Sequence, residues 1–178
     1  RCQQSGQSVI GVVRIVGLSL GSAALLFVAE PQHDQYSSPQ HQQFDFVIGN
    51  WLVRDSSAHA IGTTTVSKAY GGCVLIEKWR GVANSGEGLG VAGYDPARGA
   101  WHRDFIDQNG FVLAIDGQLE GAVMVMTGKD YPPDGPRLHR VTWTRRSDGS
   151  LVQRWLTSTD AGRSWQMRFY GAFERIAE

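Results

Sequence analysis

Only two cysteines, Cys2 and Cys73, occur in the 178 residues, too few for a framework of disulfides to hold a fold together. Net charge is absent as well. Lys and Arg number 17, Asp and Glu 17, which excludes a general electrostatic grip on nucleic acid or on an acidic membrane surface. His59, His102, His139 and Cys73 stand in no C-x-x-C, H-x-H or H-E-x-x-H spacing, so no metal and no cofactor is expected. There is no G-x-S-x-G nucleophile elbow. Cys73 follows two glycines without a setting that would lower its pKa, and reads as a buried, inert thiol. Gly86-Glu87-Gly88-Leu89-Gly90 lacks the helix and lysine of a phosphate cradle. After residue 50 no 12-residue window carries a capped 3.6-residue apolar stripe. The one helical segment expected is a short turn over Gln43 to Ile48.

What is present divides the chain into three. Residues 9 to 29 read VIGVVRIVGLSLGSAALLFVA, and the 15 residues from Ile15 to Ala29 carry no charge. A bilayer span needs roughly 20 apolar residues, so residues 1–29 read as an export signal or an N-terminal anchor, and the protein as periplasmic or secreted. A misassigned start would instead leave it cytoplasmic. Residues 30–43 are polar, rich in Gln, Ser and Pro, and cannot bury enough surface to offset their ordering entropy. They read as a linker, with His33 and His41 solvated. Residues 44–178 form the domain.

That domain is a succession of short alternating runs, each ended by a turn signal. Strands are expected near 50–55, 61–69, 73–82, 88–95, 100–107, 111–117, 120–128, 137–145, 150–158 and 164–175. Gly71-Gly72, Asp95-Pro96, Asn109-Gly110, Asp116-Gly117, Asp134-Gly135 and Asp148-Gly149 supply the backbone conformations of the turns. About ten antiparallel strands in sequence make an up-and-down meander. Closure into a barrel removes its edges; an open sandwich is the competitor. The fold class is all-β, a single antiparallel barrel with a short N-terminal helical turn. Alternation puts Cys73, Leu75, Glu77 and Trp79 on one face, and Trp101, Arg103, Phe105 and Asp107 together. Leu151, Gln153 and Trp155 share a third row; Trp165, Met167, Phe169, Gly171, Phe173 and Arg175 form the last.

Gly49-Asn50-Trp51 resembles the G-x-W signature of lipocalin-like (calycin) barrels. In those barrels the Trp closes the floor and a basic residue of the last strand packs across it, a role that falls to Arg175. The segments FDFVIGNW (44–51), GGCVLIEKW (71–79), GYDPARGAW (93–101), RVTWT (140–144), DGSLVQRW (148–155) and STDAGRSWQMRFYGAFER (158–175) together resemble a bacterial family of such barrels to which no activity is attached. The likeness covers about residues 44 to 175 and implies a calycin-type barrel. An extra charge, Arg103, sets this chain apart from the family pattern W-x-Q-x-W-V-D. Haem-binding barrels of related shape, the nitrobindin type, carry a histidine near the C-terminus, whereas the last one here is His139. Ser158 to Trp165 also resembles the Asp-box of sialidase-type propellers. A single copy without a blade period reads as a self-contained hairpin rather than a propeller or a catalytic site.

The residues expected to meet a ligand are Glu77, Trp79, Trp101, Arg103, Phe105, Asp107, Arg140, Trp143, Gln153 and Trp155, aromatic walls with a few polar groups among them. The parity of Arg140 sets it opposite Trp143. Three functions follow. The first is binding of a small hydrophobic or amphipathic molecule in the lumen. The second is a cofactor-free barrel enzyme, an isomerase or cyclase using Glu77 or Asp107 as acid–base group with Arg103 or Arg140. The third is a structural module whose interior is filled. The expected partner is a small molecule; no nucleic acid and no membrane beyond residues 1–29 are expected.

Overall fold

The computed structural model describes residues 38–176; the apolar run at 9–29, Cys2 and His33 lie outside them. Ten strands follow one another: β1 (Gly49–Arg54), β2 (Ala60–Ala69), β3 (Val74–Gly81), β4 (Glu87–Asp95), β5 (Ala100–Asp107), β6 (Val112–Glu120), β7 (Val123–Asp130), β8 (Arg137–Arg145), β9 (Leu151–Ser158) and β10 (Gln166–Arg175). Each pairs antiparallel with the next, and β1 pairs with β10, so the sheet closes into a barrel without free edges.

The alternation determines the inside. Trp51, Val53, Leu75, Trp101, Leu113, Ile115, Met124, Met126, Val141, Trp143, Leu151 and Phe173 all fall on the inner face and are buried. Each contributes about 1.5–3 kcal/mol on leaving water. Two 3-10 turns, Pro39–Gln42 and Asp45–Val47, precede the first strand, where a short helical turn was expected. They bring Phe44 to 5.6 Å from the Trp101 ring and 5.2 Å from the Trp143 ring, both edge to face, which plugs one end of the barrel.

Closure is centred on Trp51, which is fully buried. Its indole N–H donates to the Val47 carbonyl at 2.9 Å. Arg175, its register partner on β10, lays its guanidinium 4.3 Å from the ring centroid and donates to the Ile48 carbonyl at 3.1 Å. A single cation thus ties the last strand to the turn that precedes the first.

Four expectations are corrected. Asp116-Gly117 is not a turn: both lie inside β6, and the connection is Gly121-Ala122 instead. Gly117 sits between Trp101 and Met126 in register, where an added Cβ would come 1.9 Å from the Val125 carbonyl oxygen, so close packing and not turning demands this glycine. In β10 a bulge between Met167 and Phe169 breaks the alternating row. Met167 therefore pairs with Leu156 on the outer face and is exposed, while Phe169 pairs with Trp155 inside. His41 is not solvated. It is 5% exposed and packs its ring 5.2 Å from Tyr94, because the Ser38-Pro39 start of the first 3-10 turn folds this end of the polar segment back onto β4. Cys73 is disulfide-bonded rather than an inert thiol.

The Asp-box hairpin is locally sufficient. Asp160 accepts the Ser158 hydroxyl at 2.7 Å and the Ser164 backbone N–H at 2.9 Å, and the Trp165 indole donates to the Gly162 carbonyl at 3.1 Å. The hydrogen bonds from Ser164, its hydroxyl first, hold the Asp160 carboxyl at about 2.

On the outer face of β5, His102 bridges two carboxylates, with Nδ1 2.8 Å from Asp116 and Nε2 3.1 Å from Asp104. Partial burial opposes the charged ring, but the hydrogen bonds to Asp116 and Asp104 outweigh it and raise the His102 pKa. A pKa raised by folding contributes stability that is full below the unfolded value of about 6.5 and fades as the pH climbs through the folded value. His102→Gln should therefore flatten the fall in Tm between about pH 6 and about pH 8. Thermal melts of both proteins across that range check this; parallel curves would remove His102 from the pH dependence.

Candidate functional site

Above the plug the lumen opens into a cavity of about 350 Å³. Trp79 of β3, Phe105 of β5, Trp155 of β9 and Phe169 of β10 supply aromatic walls, and Leu113 and Val141 fill between them. Glycines on β4 make room. An added Cβ at Gly88 would lie 2.3 Å from the Phe105 ring, and one at Gly90 would lie 2.9 Å from the Arg103 guanidinium. Trp79 and Phe169 meet edge to face at 6.1 Å, so the walls brace one another across the space between β3 and β10.

An ion pair forms the cavity floor. Arg103, 6% exposed, donates through Nη2 to Glu77 Oε2, and the other carboxylate oxygen of Glu77 accepts the Thr64 hydroxyl at 3.2 Å. The guanidinium also lies 5.2 Å from the Phe105 ring and 5.4 Å from the Trp143 ring. Below the pair remains a space of only about 30 Å³, lined by Trp51, Phe44, Trp143 and their neighbours. Glu77 and Arg103 border both spaces and divide the open half of the barrel from the packed half.

A second polar group stands behind the wall. Trp155 donates its indole N–H to Nδ1 of His139 at 2.9 Å, and His139, 1% exposed, turns Nε2 to within 2.9 Å of Asp130. An indole N–H can only donate, so Nδ1 is the acceptor of this hydrogen bond. This holds Trp155 in one orientation on the cavity side.

Of the ten expected ligand residues, Glu77, Trp79, Arg103, Phe105, Asp107, Gln153 and Trp155 line this cavity together. Trp143 lies beneath the ion pair, in the small closed space. Trp101 is 1% exposed against Phe44 and Tyr94 in the plug, away from the cavity. Arg140 is exposed on the outer face, in register with Thr127 and Leu156. Phe169, Arg168, Gln108 and the Ser85–Glu87 corner line the cavity without having been expected there. Phe169 stood in the right alternating row and was legible; His139 shares the parity of Trp143, which was legible too.

Among the described residues no group of three or more His, Cys, Asp or Glu gathers to hold a metal ion, and no helix is long and apolar enough to cross a membrane. Compared with known proteins, the chain matches no family model and no curated protein.

Proposed function

We propose that this barrel binds a small amphipathic molecule whose apolar body lies among Trp79, Phe105, Trp155 and Phe169. The observation that carries the reading is the cavity itself: about 350 Å³, open at one end, with aromatic walls and a polar floor. Ligand cavities run from about 300 Å³ upward and combine apolar walls with a few placed polar groups. The G-x-W corner with Arg175 across the Trp51 ring supports kinship with lipocalin-like barrels. A filled structural module fits less well, since its interior would need no such space. Acid–base catalysis also fits less well: both Glu77 oxygens already accept hydrogen bonds, and Asp107 Oδ1 is taken by the backbone N–H groups of Asn109 and Phe111. The apolar run at 9–29, which has the pattern of an export signal or an anchor, supports an exported protein.

N-phenyl-1-naphthylamine, an uncharged aromatic probe, tests the binding reading. Wild type should enhance its fluorescence with saturation at one probe per chain. Gln153→Trp, which adds bulk on the inner face, should weaken binding about tenfold or more. No saturable binding to wild type, or equal binding by the filled variant, would remove the proposal.

A further inference from the structure

Arg168 reaches the cavity wall although strand alternation counted from Phe169 does not send it there. Phe169 faces the lumen, so simple alternation sends Arg168 to the solvent side. The bulge between Met167 and Phe169 adds one residue to β10 against β9 at this point, and Arg168 is that residue. Its guanidinium ends 5.9 Å from the Trp155 ring centroid, at the cavity wall. Bulges bend a strand and re-aim a side chain, and they concentrate beside functional sites.

Its charge is uncompensated. Among the described residues no carboxylate lies within ion-pair distance of Arg168, whereas Arg103 is held by Glu77. The acids near the mouth are already engaged. Glu87 pairs with Arg80 at 2.9 Å, and Asp107 is held in its turn by the N–H groups of Asn109 and Phe111 at 2.8 and 3.0 Å. A guanidinium near an indole face keeps its edge donors directed outward in a fork that matches a carboxylate or sulfonate. The aromatic walls favour a flat body through stacking and edge contacts.

We propose that Arg168 is the anion-recognition residue of the cavity, and that the ligand is a planar apolar molecule bearing one acid group at the mouth. This rests on the binding reading above and names its ligand class. The acid meets Arg168 at the rim, and the rings lie below against Trp155, Phe105 and Trp79. The Glu77–Arg103 pair at the floor, being mutually neutralised, has no charge to offer a second acid.

Two probes with one body separate the claims: 1-anilinonaphthalene-8-sulfonate carries the acid group and N-phenyl-1-naphthylamine lacks it. Wild type should bind the sulfonate more tightly. Arg168→Gln, at an exposed position, should weaken the sulfonate about tenfold or more and leave the neutral probe within about twofold. Added salt should weaken the sulfonate alone. Sulfonate binding that is unchanged in Arg168→Gln, or that falls together with the neutral probe, overturns the role of Arg168 while the binding reading stands. If wild type binds neither probe, it is the binding reading that fails. In competition, 2-naphthoate should displace the sulfonate at lower concentration than decanoate; the reverse order overturns the planar body.

Discussion

Arg103→Met is expected to destabilise the barrel by about 3–5 kcal/mol, because it leaves the Glu77 carboxylate at the cavity floor with the Thr64 hydroxyl as its remaining side-chain partner. Arg103 is 6% exposed, and its stem and guanidinium also pack between Phe105 and Trp143, so both charge and contact are lost. The double variant Glu77→Leu with Arg103→Met should recover most of the loss, since replacing a buried pair by apolar groups of similar volume is often neutral or better. Urea unfolding followed by tryptophan fluorescence measures both. If the single variant loses less than about 1 kcal/mol, cavity water carries the Glu77 charge and the pair is not what holds the floor. A double variant as unstable as the single would assign the effect to packing rather than to the stranded carboxylate.

Trp51→Ala should cost a comparable about 3–5 kcal/mol, the usual range for removing a buried aromatic ring from a core. Here the loss has a particular anatomy. The ring is fully buried beneath the plug, its N–H satisfies the Val47 carbonyl, and its face carries Arg175. Removing it opens a hole at the seam where β1 meets β10, the pairing that closes the sheet. For a domain of this size the midpoint should fall by about 10 °C or more. Trp51→Phe keeps most of the burial but strands the Val47 carbonyl, and should lose about 1–3 kcal/mol. Arg175→Gln should lose only about 0.5–2 kcal/mol, since the cation is exposed. A Trp51→Ala protein that melts within a degree or two of wild type would show that closure does not depend on this corner.

How much of this was legible can be argued from particular positions. Strand alternation is local: Glu77 with Trp79, Arg103 with Phe105 and Asp107, and Gln153 with Trp155 could each be put on one face from parity alone. The barrel brought those faces together. Asp116-Gly117 misled because a glycine can mean either positive φ or lack of room, and the two are identical in a string of letters. Only the approach of the Val125 carbonyl tells them apart. His41 misled because its neighbours are polar, while its own ring found Tyr94 from a distant strand.

The chain's pattern of alternation and turn residues, by itself, determined an all-β meander of ten strands and the rows of side chains each strand offers, since these follow from dihedral preference and a two-residue period. Tertiary structure alone decided which parts of those rows bound an open space and which are packed away. Trp101 and Arg103 are two residues apart on one face, yet one lies in the plug and the other borders the cavity, because depth along a closed barrel depends on which strands lie across from it. The same holds for Arg168, whose position at the rim comes from one extra residue of β10 set against β9, a mismatch between two strands that neither carries alone.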